Sequence, residues 1–250
     1  MKPMHRFLVT AGNTRERIDD VRDWGNIFTG NTGFDIAQAL AKLGPVDLIT
    51  SNKQHQAMIQ AGLATPFPVT ACGFGCHAEL KGALAAMLAS HEYAAAFMTA
   101  AVADYRPVRT FRVEERRPGG QAGEEIWRVV DVQAGKVKSN HPAIAILGEQ
   151  TEKLVDMFRK DWNHRGLLFK FKLEVGISKD DLIRIGQASR AASGADFLVA
   201  NTLAMVGGQQ PGAYLLSDAG EEWIARPRLA ARLAEVADQA LVTKCATAMK

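Results

Sequence analysis

Continuous apolar segments alternate along the chain with segments in which apolar residues recur at helical spacing. Phe7 to Thr10, Val46 to Thr50 and Ala94 to Thr99 have the length and composition of buried strands. Between the first two, apolar residues recur at helical spacing from Ile36 to Leu43, and Gly44-Pro45 then stops the helix. Strands that alternate with amphipathic helices predict a parallel sheet that is covered on both faces.

The same alternation returns in the second half of the chain. The sequence predicts strands at Leu167 to Leu173 and Phe197 to Ala200, helical faces at Leu154 to Trp162 and Leu182 to Ala188, a closing antiparallel hairpin at Gly212 to Ala225, and a last helix at Leu229 to Leu241. No linker is evident. The expected fold is therefore one α/β domain over residues 1–250, with a Rossmann-like, mostly parallel sheet and helices on both faces.

The middle of the chain has a different pattern. Phe111 to Arg117 and Glu125 to Asp131 flank a Pro118-Gly119-Gly120 turn, which predicts a protruding β-hairpin over residues 108–134. Its many Arg and Glu residues are most simply a solvated face. The alternative is a dimerisation arm, whose surface would be formed by Phe111, Val113, Ile126 and Val129.

Composition and charge exclude several classes of protein. The 47% hydrophobic and 23% charged residues are ordinary for a globular chain and exclude a disordered one. A net charge of +3 without clustered Lys and Arg argues against nucleic-acid binding. The longest uncharged apolar run, Tyr93 to Ala103, is too short for a membrane helix, which needs about 20 residues. With no signal-peptide pattern after Met1, we expect a cytoplasmic protein.

The cysteines agree with that compartment. Their number is odd, which is typical of a reducing environment. Cys72 and Cys76 have no second Cys/His pair nearby to complete a zinc site, so we interpret them, with Cys245, as ordinary thiols.

Polar segments follow three predicted strands, where open α/β sheets bind ligands. After the first strand, Thr10 to Arg22 leads through Asn26 to the glycine-rich Thr29 to Gly33 and a helix. Such a turn presents free N–H groups to an anion. The alternative is a capped helix after a long loop. The glycine-rich segment is not a dinucleotide fingerprint, because a long loop separates it from the strand.

Two further segments are candidates for ligand contact. In Thr99 to Pro107, small residues allow close approach to the backbone, and Asp104 either pairs with Arg106 or holds Mg²⁺ beside a triphosphate. In Gly135 to Asn140, two lysines and a serine suit phosphate contact, although the segment alone is better interpreted as a surface loop.

Taken together, these segments resemble the phosphopantothenate–cysteine ligase family. Gly12 to Arg22 is similar to the family's opening motif, and Asn26 with Thr29 to Gly33 is similar to its second motif. Ala100 to Pro107 is identical to its most distinctive string. Weaker similarity continues at Lys136 to Ser139, Thr151 to Leu154, Phe171 to Glu174 and Val199 to Asn201.

The resemblance implies a homodimeric enzyme of coenzyme A biosynthesis that joins 4′-phosphopantothenate to L-cysteine. A nucleoside triphosphate, CTP or ATP, with Mg²⁺ would convert the carboxylate to an acyl nucleotide and release pyrophosphate. The cysteine amine would then displace the nucleoside monophosphate. The resemblance implies no flavin, and neither nucleic acid nor membrane is expected as a partner.

The resemblance also assigns roles to individual residues. The catalytic residues would be Asn26, Lys136 and Arg22; Ala101, Thr29, Gly30 and Gly33 would contact the substrate and the acyl intermediate; and Gly12, Ala100, Asp104, Phe171 and Arg190 would form the nucleotide site, with Asp104 also a ligand for Mg²⁺.

The chain departs from the family pattern in its substrate motif. Phe28 stands where the family has a serine, so an apolar ring replaces a hydroxyl. This departure keeps two other hypotheses open: a related nucleotide-dependent ligase with another acid or amine, and an NAD(P)-binding Rossmann protein.

The basic residues also depart from the family pattern. The long insertion at 108–134 makes Arg112 and Arg116 alternatives to Lys136. Where bacterial members carry phosphate-binding lysines, this chain offers only Arg184 and Arg190, which predicts weaker or differently arranged triphosphate binding.

Overall fold

A central sheet organises the computed structural model, which describes residues 4–248 and the side chains of residues 4–244. The strands are β1 (Phe7–Ala11), β2 (Arg15–Arg17), β3 (Asp23–Gly25), β4 (Val46–Thr50), β5 (Val69–Gly73), β6 (Ala95–Met98), β7 (Tyr105–Pro118), β8 (Glu125–Asp131), β9 (Ile144–Gln150), β10 (Leu167–Glu174), β11 (Phe197–Thr202), β12 (Gly212–Ser217) and β13 (Gly220–Ala225). The helices are α1 (Asn31–Leu40), α2 (Lys53–Gln60), α3 (His77–Ser90), α4 (Leu154–Lys160), α5 (Lys179–Ser193), α6 (Leu203–Gly207) and α7 (Arg226–Ala248).

The sheet has eight strands in the order β13-β12-β11-β10-β6-β1-β4-β5. From β11 to β5 the strands are parallel, and β12 and β13 close one edge as an antiparallel hairpin. Counted along the chain, the parallel strands follow the 3-2-1-4-5-6 order of Rossmann folds. The predicted fold class is therefore confirmed. The strand order reverses between β1 and β6, where such sheets form a crevice.

Helices cover both faces of the sheet, and alternate residues of each strand pack against opposite layers. Phe169 packs on the face of α1 and α7, where its ring is stacked between those of Phe97 and Phe197 at centroid distances of 4.1 and 4.6 Å. Leu168 packs on the other face, against α3 and α4. Because side chains alternate along a strand, Lys170 and Lys172 lie on the same face as Leu168.

The protruding element is larger than the predicted hairpin. β7 and β8 pair as expected around the Pro118 turn, but β9 pairs with the other edge of β7 and makes a three-stranded sheet. This arm therefore spans 105–150 rather than 108–134. The prediction missed β9 because a loop, and not a tight turn with its glycine signal, connects it to β8.

Other short elements also lacked a clear sequence signal. The polar composition of α2 obscured its helical period, and β2 and β3 have only three residues each. In the described part of the chain, Cys72 and Cys76 are free thiols. The side chain of Cys245 lies outside the described residues. No helix within 4–248 has the length and apolar character needed to cross a membrane.

Candidate functional site

The loops that follow β1 and β6 meet where the strand order reverses. The Ala101 N–H donates to the Gly12 carbonyl at 2.9 Å, and the Thr14 N–H donates to the Ala101 carbonyl at 3.2 Å. The Ala103 N–H donates to the Thr14 hydroxyl at 2.8 Å. The first two polar segments of the sequence therefore converge, as expected from the carboxyl ends of neighbouring parallel strands.

Two glycines allow α1 to begin directly against these loops. Gly30 has a φ of +83°, and a Cβ atom there would lie 2.1 Å from the Gly12 nitrogen. A Cβ atom at Gly33 would lie 2.3 Å from the Thr99 hydroxyl. Gly30 caps α1 without a side-chain hydrogen bond, so the first N–H groups of the helix stay available to a ligand.

A cavity of about 330 Å³ opens beside the β6 loop, between the end of β10 and the start of α4. It contains five of the residues that the sequence assigned to the site: Asn26, Ala100, Ala101, Asp104 and Phe171. Residues that were far apart in the sequence thus surround one space of a size suited to a nucleotide.

Backbone contacts hold Asn26 in this cavity. Its side-chain amide donates to the Ala101 carbonyl at 3.3 Å, and the Asn13 amide donates to the Asn26 carbonyl. An exposed asparagine in this position offers both a donor and an acceptor to a ligand.

Asp104 faces the same cavity, and no Lys, Arg or His among residues 4–244 forms an ion pair with it. Arg106, its alternative partner, instead contacts Glu149 across the arm at 3.6 Å. The described residues contain no group of three His, Cys, Asp or Glu side chains that could hold a metal ion. A Mg²⁺ ion beside Asp104 would therefore need oxygen ligands from a bound phosphate, which is its usual arrangement in nucleotide sites.

A second cavity, of about 310 Å³, adjoins the first. It is lined by the expected residues Gly12, Thr29, Gly30 and Gly33. Phe28, Ala100, Ala101 and Phe171 to Leu173 border both cavities. The two spaces therefore form one continuous cleft.

Arg226 contributes to the second cavity and was missed by the sequence prediction. Its guanidinium donates to the Thr32 hydroxyl at 2.6 Å, close to the free N–H groups of α1. No motif marks this arginine, because it reaches the site from the far end of the chain through the closing hairpin.

Arg22 and Lys136 lie outside both cavities of the single chain. The Arg22 guanidinium binds Asp19 and also donates to the Val137 carbonyl at 2.8 Å. The Asp19 carboxylate accepts the Val137 N–H at 3.1 Å, and its hydrogen bond with Arg22 holds its pKa well below the ordinary value. These contacts tie Lys136 and its segment to the 18–22 loop.

The other arginines with proposed ligand roles also have structural contacts elsewhere. Arg190 donates to Gln187 at 2.8 Å and pairs with Asp218, so it links α5 to the β12–β13 turn. Arg112 pairs with Glu114, and Arg116 lies over the Trp127 ring, 4.8 Å from its centroid, on the arm. The structure does not bring these arginines into the cleft.

Three lysines in the first cavity were not predicted: Lys153, Lys170 and Lys172. Lys170 is half-buried, and its Nζ donates to the Ser189 carbonyl at 3.1 Å. Burial lowers the pKa of its ammonium group. The available signal was the alternation of lysines with apolar residues at the carboxyl end of a core strand.

Comparisons with known proteins find similarity over most of the chain. Residues 3–119 match the family model described as the DNA/pantothenate metabolism flavoprotein C-terminal domain. The coenzyme A biosynthesis bifunctional protein CoaBC of Thermococcus kodakarensis is 30% identical over 206 residues, which are 82% of this chain and 43% of that protein. The CoaBC of Mycolicibacterium smegmatis is 29% identical over 79% of this chain and 42% of its own length. The chain thus spans less than half the length of these relatives.

Solved structures show the same fold. The DNA/pantothenate metabolism flavoprotein from Streptococcus pneumoniae superposes with a TM-score of 0.72 at 21% identity, over 96% of this chain and 99% of that one. A Cab2 mutant in complex with phosphopantothenate-cysteine superposes with a TM-score of 0.67 at 12% identity, over 98% of this chain and 89% of that one.

Proposed function

We propose that the chain is a phosphopantothenate–cysteine ligase of coenzyme A biosynthesis, because residues 3–119 match the family model of the DNA/pantothenate metabolism flavoprotein C-terminal domain and the relatives that it resembles are bifunctional proteins of that pathway. The observation that carries this proposal is the continuous cleft at the strand-order reversal, in which Asn26, Ala101 and Asp104 share a cavity that opens onto the glycine-rich start of α1. A ligase that joins a nucleotide to an acid needs two adjoining subsites of this kind.

We place the nucleotide in the first cavity and 4′-phosphopantothenate in the second. The phosphate of the acid would meet the free N–H groups of α1 and the Arg226 guanidinium, which both favour an anion. Its carboxylate would then extend to the shared wall, near Asn26 and Ala101. The backbone at Ala100, which borders both cavities, would contact the base of the nucleotide, which is CTP or ATP in this proposal.

The reaction would proceed in two displacements. A carboxylate oxygen bonds to the α-phosphorus, the bond to the bridging oxygen breaks, and pyrophosphate leaves with the electron pair. The cysteine amine then attacks the acyl carbon and the nucleoside monophosphate leaves, while the amine loses a proton. The Asn26 amide, which donates one hydrogen to the Ala101 carbonyl, would donate its other hydrogen to an oxygen of the acyl nucleotide. Mg²⁺, held by Asp104 and phosphate oxygens, would supply neutralising charge.

A homodimer is part of the proposal. On the arm, Ile126, Val129 and Val130 of the edge strand β8 are 45%, 37% and 40% exposed, although they are apolar. An unpaired edge with apolar side chains is suited to pairing with a second copy. Because Lys136 lies outside both cavities within one chain, we propose that it acts in the cleft of the second protomer. A cytoplasmic location stays a prediction.

The test is pyrophosphate release. We expect release with CTP or ATP only when 4′-phosphopantothenate is present, and sustained turnover only when L-cysteine is added. Absence of release with every pair of nucleotide and 4′-phosphopantothenate would contradict the proposal.

A related ligase with another acid is the second candidate, since the Phe28 ring borders both cavities at the position of a family serine. Release with another phosphorylated acid, and not with phosphopantothenate, would favour it. Tight binding of NAD(P) without any pyrophosphate release would favour the third hypothesis, an NAD(P)-binding Rossmann protein.

A further inference from the structure

Of the three lysines that line the first cavity, only one pairs with a carboxylate among the described residues. Lys172 pairs with Glu174 at 2.8 Å. Among residues 4–244, no carboxylate lies within ion-pairing distance of Lys153 or Lys170. Two ammonium groups without carboxylate partners therefore face a cavity that is open to a ligand.

The two groups approach the cavity from different walls. Lys170 projects from β10, and its contact with the Ser189 carbonyl uses one donor and leaves two free. Lys153 projects from the segment before α4, whose Thr151 N–H donates to the Asp104 carbonyl at 2.9 Å. The loop that carries Asp104 and the segment that carries Lys153 are thus joined by a hydrogen bond.

The charges of Lys153 and Lys170 act on each other. The positive charge of Lys153 adds to burial in lowering the pKa of Lys170, whereas the nearby Asp156 opposes both. Like charges in a half-buried cavity are unfavourable, so the arrangement is expected to be stabilised by an anion with more than one negative charge.

We propose that Lys170 and Lys153 bind the β- and γ-phosphates of the nucleotide and so fill the role for which α5 offers no lysine near Ser189 and Ser193. This inference rests on the proposed function, because it defines the polyphosphate subsite of the same cavity. When the bond between the α-phosphorus and the bridging oxygen breaks, its electron pair passes to the leaving pyrophosphate, and the two ammonium groups stabilise the added charge. The subsite contacts only phosphate oxygens and is therefore indifferent to the base.

The experiment compares Lys170→Met and Lys153→Met with the unmodified protein. Methionine is unbranched like lysine and only one heavy atom shorter, and it removes the charge. Calorimetric titration would measure the Kd of CTP, CMP and inorganic tripolyphosphate. We expect each variant to bind CTP and tripolyphosphate about tenfold more weakly or worse, as for the loss of a charge-assisted hydrogen bond, and to bind CMP unchanged.

Lys160→Met is the matched control, because Lys160 is an exposed lysine at the far end of α4 and lies outside the cavity. It should bind all three probes like the unmodified protein. Thermal unfolding checks the fold of each variant, and Lys153 is exposed, so its variant should fold even if Lys170→Met does not.

The outcomes separate this inference from the proposed function. If the unmodified protein releases pyrophosphate but both lysine variants bind CTP like the control, the inference fails and the ligase proposal stands. Equal weakening of CTP and CMP also overturns the inference. If no acid supports pyrophosphate release but tripolyphosphate binds in a Lys170-dependent way, the ligase proposal fails and the polyphosphate subsite stands.

Discussion

At the scale of single residues, Asn26 is held by a backbone carbonyl from one loop and a side-chain amide from another. Its amide donates to the Ala101 carbonyl, and its own carbonyl accepts from Asn13. In Asn26→Asp the donor is lost, and a negative charge lies beside the anionic acyl nucleotide. We expect pyrophosphate release in the first turnover at the parent rate and steady-state product formation at least about tenfold slower.

Single-turnover and steady-state assays of pyrophosphate and product check this expectation. The matched control is Gln60→Glu, the same change of amide to carboxylate at an exposed site at the end of α2. It should behave like the parent enzyme. Parent-like turnover of Asn26→Asp would remove Asn26 from the mechanism.

Gly30 illustrates a second constraint on single residues, which is close contact between backbones. Gly30 and Gly62 both have positive φ, at +83° and +95°, but only Gly30 has another backbone within reach of a Cβ atom. We expect Gly62→Ala to lower the free energy of unfolding by about 1 kcal/mol, from backbone strain alone. Gly30→Ala should lower it by about 3 kcal/mol or more.

Urea unfolding of the two variants measures this difference. Equal losses at the two positions would show that the contact between Gly30 and Gly12 relaxes at little cost.

Sequence motifs identified the loop residues of the site but not the lysines on its walls. Asn26, Ala101 and Asp104 were found because short strings with unusual small and polar residues mark the loops after β1 and β6. Lys170 was missed because a lysine in an apolar strand is compatible with any half-exposed face. Only the packing of α4 and α5 around the end of β10 makes that face a cavity wall.

At the scale of elements, the buried carboxylate of Asp19 helps to hold the segment around Lys136, together with hydrogen bonds from Arg22 and from the Asp20 N–H. Asp19 accepts hydrogen bonds from Arg22 and from the Val137 N–H. Asp19→Asn weakens this link, so trypsin should cleave after the exposed Lys136 and Lys138 faster than in the parent protein. Asp20→Asn is the control, because the exposed Asp20 carboxylate pairs with Arg17 at 3.8 Å, and the bond from Asp20 to the Gly135 carbonyl comes from its backbone N–H, which the substitution keeps.

Peptide mapping of the early digestion products measures the cleavage rates. Equal rates in Asp19→Asn and Asp20→Asn would contradict the role of Asp19 in holding this segment.

The same carboxylate predicts a dependence of stability on pH. Hydrogen bonding to Arg22 lowers the pKa of Asp19 in the folded state, so its contribution is complete above the ordinary carboxyl pKa of about 4. The contribution is lost as the pH falls below that value. Thermal unfolding between pH 6 and pH 3 should show a shallower decline for Asp19→Asn than for the parent, and parallel curves would contradict the prediction.

Helices and strands were predicted from the sequence where their apolar residues follow a clear helical or strand pattern. Core strands such as β4, which is buried along its length and apolar apart from Asp47 and Thr50, were found with their observed bounds. The helix α2 and the strand β9 were missed, because their polar or irregular patterns match neither period. They are fixed by neighbours distant in sequence, as β9 is by β7.

At the scale of the whole molecule, the arm predicts the oligomeric state. β8 is an unpaired edge with exposed apolar residues, so a charge at its centre should oppose association. We expect the parent protein to be a dimer by light scattering and Val129→Lys to be largely monomeric. If Lys136 acts in the partner's cleft, Val129→Lys also loses steady-state product formation.

Arg128→Lys on the same strand is the control and should remain dimeric, because it keeps the charge of an exposed side chain. A monomeric parent protein that turns over fully would refute both the dimer and the exchange of Lys136.

The shared wall of the two cavities has a chemical consequence. The rings of Phe28 and Phe171 stand at the junction where an activated acid would form. A mixed anhydride is destroyed by hydrolysis, and two aromatic side chains beside it would reduce the access of water. The acyl nucleotide would then react with the cysteine amine before water hydrolyses it. Little nucleotide would be consumed without forming product.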